Sequence, residues 1–439
     1  MTGAIYPTPS SAWLARLAAD EATALASLGM PRAWLAVDLA AARYNARCLR
    51  ERAGVPLVAM LKADGYGVGA VALARALGAA FADDPSLPEG TGTAKQAAGD
   101  ALLWGIGVAS VQEAVELREA GCTARLLCCT PLLQSDFVEA RACALRPSLH
   151  DAQDIVAWTA LGPAPWHLSI DTGMSRDGAR WDAVEALREV VMAHPPEGVF
   201  THFHSADIDD GSLQQQESRF AGALRALRGA LPPSILVHTD NSAAILTRGE
   251  AIEAIKAIKG SESSNPVRRR SSPGHLARPG IALHGVFGRD ELRLRPSVQL
   301  RARVIDLREI APGDTVGYGA SWTAPSARRI ATVAAGYGDG YRRSLSNRGV
   351  GLLHGLRCPV VGRISMDMTL FDVTDVPCER GDVMTLVGRD VDATRDDGSA
   401  DEIRAESVAS NGDVSVYELL VGWRLRLQRV YYGLFSGTV

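Results

Sequence analysis

A chain of 439 residues exceeds the usual size of one domain, so two are expected, with room for a large α/β barrel as one of them. Its 46 Lys and Arg against 50 Asp and Glu give a formal net charge of −4, with 47% hydrophobic and 22% charged residues. That balance is ordinary for a soluble globular protein and gives no reason to expect nucleic acid or membrane partners.

Residues 1–45 read as an N-terminal extension and a first strand. Met1 to Met30 is Ala-rich, places Arg16, Asp20 and Glu21 in a short amphipathic helical pattern, and lacks the continuous apolar core of a signal peptide. No segment is long and charge-free enough to span a bilayer, so the cytoplasm is the expected compartment. The seven cysteines, Cys48, Cys122, Cys128, Cys129, Cys143, Cys358 and Cys378, are odd in number and lack metal-type spacing. They are expected as buried free thiols, and no metal site is expected.

Apolar runs followed by helical patterns organise residues 46–294. Strand-like runs occur at Leu57–Leu61, Gly105–Ala109, Arg125–Cys129, Pro147–His150, Trp166–Asp171, Val199–Phe203, Ile235–His238 and Leu276–Pro279. The clearest helix is Ser110–Ala120, where Ser110 and Glu113 have capping-box spacing and Gly121 supplies the stop. Eight strand-helix units imply a (β/α)8 TIM-type barrel.

From residue 295 to 439 the period changes. Val298, Leu300, Ala302 and Val304 alternate with Gln299, Arg301 and Arg303, and further β runs follow at Ile330–Ala335, Val350–Leu353, Val360–Ile364, Thr369–Val373 and Asp382–Val387. A smaller, mainly antiparallel β domain is expected there. Three polar, aperiodic segments read as insertions: Asp83–Gly99, Ser261–His275 with its run Arg268, Arg269 and Arg270, and Asp390–Asp413. The arginine run reads as part of a solvated loop.

In a barrel of this kind the chemistry sits at the carboxyl ends of the strands. Lys62 ends the first apolar run and opens a Gly-rich loop, where partial desolvation favours a neutral amine suited to Schiff-base chemistry. Asp171 and Arg176 follow strand five, His202 and His204 close strand six, Asn241 and Ser242 follow strand seven, and Arg278, Gly280 and Ile281 follow strand eight. All face one mouth. The loops after strands seven and eight are also where such barrels often hold phosphate, which suits Ser242, Gly280 and Ile281.

The ordered strings carry more than any one of them. They are Ala59–Gly67 (AMLKADGYG), Asp171–Arg176 (DTGMSR), Thr201–Phe203, Asn241–Ala244, Arg278–Leu283 (RPGIAL), Val316–Ala320 (VGYGA), Gly336–Tyr341 (GYGDGY) and Ile364–Asp367 (ISMD). Over residues 33–429 the chain resembles the alanine racemases, a family with a barrel, a β domain and pyridoxal 5'-phosphate as cofactor. The resemblance implies interconversion of L- and D-alanine, for D-alanine supply to peptidoglycan or for alanine breakdown. It makes Lys62 the cofactor-bearing lysine and the base serving the D-enantiomer.

Tyr318, on the opposite face, would serve the L-enantiomer after entering from a second subunit, which implies a homodimer with shared active sites. A phenol titrating near 10 needs help to act as a base. The resemblance gives that role to His202, hydrogen-bonded to the tyrosine and linked to Arg278. It also sets Arg278 against the ring nitrogen of the cofactor, Tyr66 with Ser242, Gly280 and Ile281 on its phosphate, and Arg176 and Met366 on the substrate carboxylate. Tyr337 and Asp367 become wall residues from the partner. His204 and His284 are read as structural.

The chain departs from the family pattern in places. Ser169 stands where many members carry a carbamylated lysine that braces the residue corresponding to Arg176. Leu425 falls, in an ungapped match, where some members carry a phosphate-binding tyrosine, and His284 replaces a commoner tyrosine. Three alternatives stay open: a serine or broad-specificity amino-acid racemase, a noncatalytic barrel that binds pyridoxal phosphate, and a decarboxylase sharing barrel and lysine. The noncatalytic barrels lack a β domain, and no acidic specificity group for a decarboxylase is evident.

Overall fold

The computed structural model describes residues 19–29, 31–82, 102–248, 274–390, 401–423 and 425–433. Its strands, in chain order, begin with β1 (Ala33–Asp38), β2 (Leu57–Met60), β3 (Leu103–Val108), β4 (Leu126–Cys128), β5 (Leu145–Arg146), β6 (Ser148–Leu149) and β7 (His167–Asp171). Next come β8 (Ala179–Arg180), β9 (Gly198–Phe200), β10 (Leu236–Asn241), β11 (His275–Arg278), β12 (Val298–Ile310), β13 (Thr315–Val316) and β14 (Trp322–Thr323). The last are β15 (Arg328–Val333), β16 (Val350–Leu353), β17 (Leu356–Pro359), β18 (Thr369–Asp372), β19 (Val383–Arg389), β20 (Glu402–Ile403) and β21 (Gln428–Tyr432).

The first sheet is parallel, in the order β5-β4-β3-β2-β11-β10-β9-β7-β6. Its ends are the two halves of one strand, β5 and β6, broken at Pro147, so the sheet nearly closes on itself. Proline has no N–H to give a ladder, which accounts for the break. The fold is a mixed α/β one, a nearly closed parallel barrel with a separate, mainly antiparallel β domain. Barrel strands are buried on both faces, as in the fully covered β2, which is why they read as apolar runs and not as alternation.

The second sheet runs β17-β16-β19-β12-β1-β21, with β15 and β18 continuing from β12. The strand β1 belongs here: it pairs antiparallel with β12 and parallel with β21. The alternation in β12 is real in chemistry, yet both of its faces are buried from Val298 to Val304. The polar face is covered by the helix Ala19–Ser27, whose Glu21 pairs with Arg301, while Arg301 also donates to Gln299 Oε1 at 2.8 Å. Leu25 of that helix packs with Trp34, Ala36 and Val430.

Two expectations need correction. Val360–Ile364 forms no strand; Val360 makes only an isolated bridge to Phe371, and the chain then bends through Gly362, where φ is +78°. The expected insert Asp390–Asp413 is not without structure, since β20 and a helix over Ala405–Asn411 lie within it, with Ala405, Val408 and Ala409 buried. Residues 391–400 of it, the insert Asp83–Gly99 and residues 261–273 with the arginine run fall outside the described residues. Among those described, Cys48 and Cys129 are half-buried, the other five cysteines are buried, and all seven are free. No described helix is long and apolar enough to cross a membrane.

Candidate active site

Strand β2 ends at Met60, and the backbone beyond Lys62 turns left-handed: Ala63, Asp64, Gly65 and Tyr66 have φ between 52° and 62°. Three of these are not glycine, at roughly 1–2 kcal/mol of steric strain each. The turn is therefore held from outside. Glu113 Oε1 accepts from Ala63 N at 2.7 Å and Glu113 Oε2 from Ala109 N at 2.7 Å, while Asp64 Oδ1 accepts from Ala70 N at 2.8 Å.

That use of Glu113 corrects the expected capping box. Ser110 does cap the helix Val111–Glu119, accepting from Glu113 N at 3.2 Å, but the Glu113 carboxylate is spent on the lysine turn. Gly67 closes the turn against the C-terminal helix Val416–Val421, where a Cβ would lie 2.7 Å from the Leu420 carbonyl. Lys62 itself is exposed, contrary to the expected desolvation.

A cavity of about 540 Å³ at this mouth brings Lys62 and Tyr66 together with Arg176, His202, Ser242 and Arg278, and with Gly280 and Ile281. Ser242 Oγ accepts from Gly280 N at 3.0 Å and from Ala282 N at 3.4 Å. Gly280 cannot be replaced without collision, since a Cβ there would sit 2.1 Å from the Tyr66 hydroxyl. Burial pushes the Tyr66 phenol well above its ordinary range, so it is a neutral hydroxyl donor. Two hydroxyls beside the Gly280 and Ile281 backbone form a cradle of the chemistry a phosphate needs.

Arg278 is buried behind that cradle. Its Nη1 donates to His238 O at 2.5 Å and lies 2.7 Å from His238 Nδ1; its Nη2 donates to Thr201 O at 2.7 Å and Thr239 O at 3.2 Å. None of these bonds uses Nε, and none goes to His202, so the expected link between Arg278 and His202 is not made. The guanidinium is instead drawn deeper into the barrel by His238. Desolvation, with the nearby charges of Arg278, Arg176 and Lys62, lowers His202 to about 3 and keeps its ring neutral.

The Ser169 departure has a local answer. Ser169 is buried, and Arg176 takes its anionic partner from the next residue, with Nε donating to Asp177 Oδ1 at 3.0 Å. Both line the cavity.

Leu425 is 89% exposed and does not line this cavity; Tyr417, missed in the sequence, lines it with its ring 6.3 Å from that of Tyr66. The overlooked signal is Ser415–Glu418, a genuine capping box that starts the helix and sets Tyr417 on its first turns. His284 is fully buried with its ring 5.6 Å from Tyr66, lowered by burial to about 4. His204 is exposed, with Nδ1 2.7 Å from Ser205 Oγ.

The remaining candidates do not join this cavity. Tyr318, Tyr337 and Met366 are 70%, 40% and 52% exposed on the β domain, and Asp367 is exposed with them. Tyr318 sits on the turn between β13 and β14. The loop that carries Met366 and Asp367 is tied to the next by Tyr337 N donating to Ser365 O at 3.0 Å and Gly338 N to Met366 O at 2.8 Å. Arg426 clamps both: it donates to Asp339 at 2.7 Å and 3.0 Å, to Asp367 Oδ1 at 2.8 Å and to Met366 O at 3.0 Å. Among the described residues no cluster of His, Cys, Asp or Glu could hold a metal.

Residues 37–84 and 88–287 match the family model for the alanine racemase N-terminal domain, and residues 297–431 match that for the C-terminal domain. The alanine racemase of Sorangium cellulosum is 34% identical over 90% of this chain and 97% of its own, and that of Deinococcus radiodurans 34% identical over 91% and 99%. Among solved structures, the alanine racemase of Streptomyces lavendulae, a D-cycloserine producer, superposes with a TM-score of 0.74 at 30% identity, covering 92% of this chain and 98% of that one. A second, from Bartonella henselae with covalently bound pyridoxal phosphate, gives 0.72 at 25% identity, covering 92% and 100%. With both domain models matched in order and relatives of this identity along nearly the whole length, the chain belongs to the alanine racemase family of isomerases.

Proposed function

We propose that this chain racemises alanine with pyridoxal 5'-phosphate held by Lys62, as a homodimer whose subunits complete each other's sites. The observation that carries this reading is the single cavity in which a lysine, a phosphate-type cradle and a donor-only arginine meet. The Bartonella relative is described with covalently bound pyridoxal phosphate, which supports the same cofactor here. When bound, that group acidifies the α-proton of an amino acid joined to it.

The residues divide the remaining work. Tyr66, Ser242, Gly280 and Ile281 would hold the phosphate, with Tyr417 beside them. Arg278 would donate to the ring nitrogen; a guanidinium cannot lose its proton, so the nitrogen it faces receives a hydrogen bond only. Arg176 would bind the substrate carboxylate, oriented by Asp177. Neutral His202 would hydrogen-bond the phenol of the incoming tyrosine, while the cationic Arg278 and Arg176 nearby favour a phenolate.

Inverting a carbon centre takes a proton from one face and returns one to the other, which needs two groups. Lys62 would serve the D-enantiomer, and Tyr318 of the partner subunit the L-enantiomer. Tyr318, Tyr337, Met366 and Asp367 are exposed in the protomer, as residues would be that wait for a second cavity. The domain division proposed is 46–294 for the cofactor barrel and 295–439 for the β domain serving the partner, with 1–45 as extension and first strand. We assign the activity to the cytoplasm.

Borohydride reduction of the cofactor-loaded enzyme, followed by peptide mapping, should place the label on Lys62, with alanine racemisation lost in step. Label on another residue, or no α-proton exchange with either alanine enantiomer, would overturn the assignment. Turnover of serine at a rate matching alanine would move the substrate class to a broader racemase.

A further inference from the structure

Behind Arg278 a file of hydrogen bonds runs through the barrel interior, away from the cavity. His238 Nδ1 lies 2.7 Å from Arg278 Nη1, His238 Nε2 lies 2.7 Å from His167 Nδ1, and His167 Nε2 lies 3.2 Å from Glu197 Oε2. The same carboxylate oxygen accepts from Arg146 Nε at 2.5 Å. Arg146 ends β5, His167 opens β7 and Glu197 immediately precedes β9, so the file ends at the amino-terminal mouth, opposite Lys62.

The two ends dictate what lies between. A guanidinium only donates, so His238 Nδ1 accepts; its Nε2 then carries the proton and donates to His167 Nδ1. His167 Nε2 donates in turn to the carboxylate, which only accepts. Each ring is left with one tautomer. Burial, with Arg278 nearby, holds both rings neutral. Burial opposes ionisation of Glu197, but the bonds from His167 and Arg146 prevail and hold it at about 2.

We infer that Glu197 is a positioning residue for Arg278, acting across the barrel through His167 and His238. As terminal acceptor it sets the tautomers that leave His238 Nδ1 open to the guanidinium. With the opposite tautomer, His238 would meet Arg278 donor to donor and the guanidinium would turn from its place. Two neutral rings intervene, so the role needs an acceptor oxygen and not a charge. The inference rests on the reading of Arg278 as the partner of the cofactor's ring nitrogen.

The test is the ring-nitrogen NMR spectrum of the cofactor-loaded enzyme labelled with 15N-histidine. In the wild type, His167 and His238 should each show a protonated Nε2 and a bare Nδ1 from about pH 6 to 9. A protonated Nδ1 on either ring overturns the inference, with no variant needed. Glu197→Gln, which keeps an acceptor, should retain these signals, the visible absorption band of the cofactor, and kcat within about threefold.

Glu197→Ala should mix the tautomers, shift the band and lower kcat roughly tenfold or more at little-changed KM. An alanine variant with wild-type ring signals and band overturns the inference, as does a glutamine variant that fails as alanine does. If the alanine variant does not fold, the wild-type and glutamine spectra decide. Tautomers are read without turnover, so a wild type lacking racemase activity would remove the functional reading and leave the tautomer result standing.

Discussion

The mouth of the barrel and the rim of the β domain carry the two halves of the candidate chemistry, and they are built in opposite ways. At the barrel mouth the groups are held from behind: Arg278 by four contacts, Ser242 by two amides, the Lys62 turn by Glu113 and Asp64. At the rim, Tyr318 and Met366 project into solvent, and Met366 is braced through its backbone carbonyl by Arg426. A group buried in its own protomer can be positioned by its own interior, whereas one that must enter another cavity stays exposed until it arrives. On the proposed dimer reading, each region supplies what the other lacks.

The largest effect would come from separating the halves. Lys62→Ala and Tyr318→Phe should each lower racemisation by more than about a hundredfold, the scale of losing an acid-base group. Mixing the two inactive variants and allowing subunits to exchange should restore roughly a quarter of wild-type activity, since half the dimers are mixed and each then has one intact site. No recovery after demonstrated exchange would mean that the tyrosine works within its own chain.

Next in size is the turn beneath the lysine. Glu113→Ala leaves the Ala63 and Ala109 amides without their acceptor, and cofactor affinity measured by fluorescence titration should weaken about tenfold, with a smaller loss for Glu113→Gln. Equal affinities for all three would show that the turn needs no clamp. At the rim, Arg426→Ala frees the Met366 and Asp367 loop, and KM for alanine should rise about fivefold to tenfold with cofactor affinity unchanged. A change in cofactor affinity instead would erase the distinction between the regions.

The smallest effect on turnover concerns acid stability. His284 is lowered to about 4 by burial and His202 to about 3, so both are neutral in the fold while the unfolded chain takes up protons near 6.5. The folded state binds fewer protons in that window, and stability therefore falls as pH drops from 6.5 toward 4. Replacing His284 by Gln should flatten that limb by about 3 kcal/mol, at roughly 1.4 kcal/mol per pH unit. Denaturant titrations at several pH values would read it, and an unchanged slope would show that other groups carry the acid limb.

Much of the barrel was legible because its strands are buried on both faces and so stand out as apolar runs between helical patterns. Tyr417 was not, because its place beside Tyr66 depends on how the C-terminal helix docks on Gly67, more than 300 residues away in sequence. The destination of the Glu113 carboxylate escaped for a similar reason: spacing suggested a local cap, and the strained turn after Lys62 claimed it.

By itself the sequence determined the residue types and their order: the lysine after the first barrel strand, the hydroxyl after the seventh and the glycine after the eighth, the change of period near residue 295. Those are local properties, written in hydrophobic period and turn chemistry. Only the tertiary structure decided that β1 joins the second sheet, that Arg278 turns to His238 and not to His202, and that two histidines connect it to Glu197. The reason is physical: a hydrogen bond between distant residues depends on where packing sets their side chains, and spacing along the chain carries no record of that.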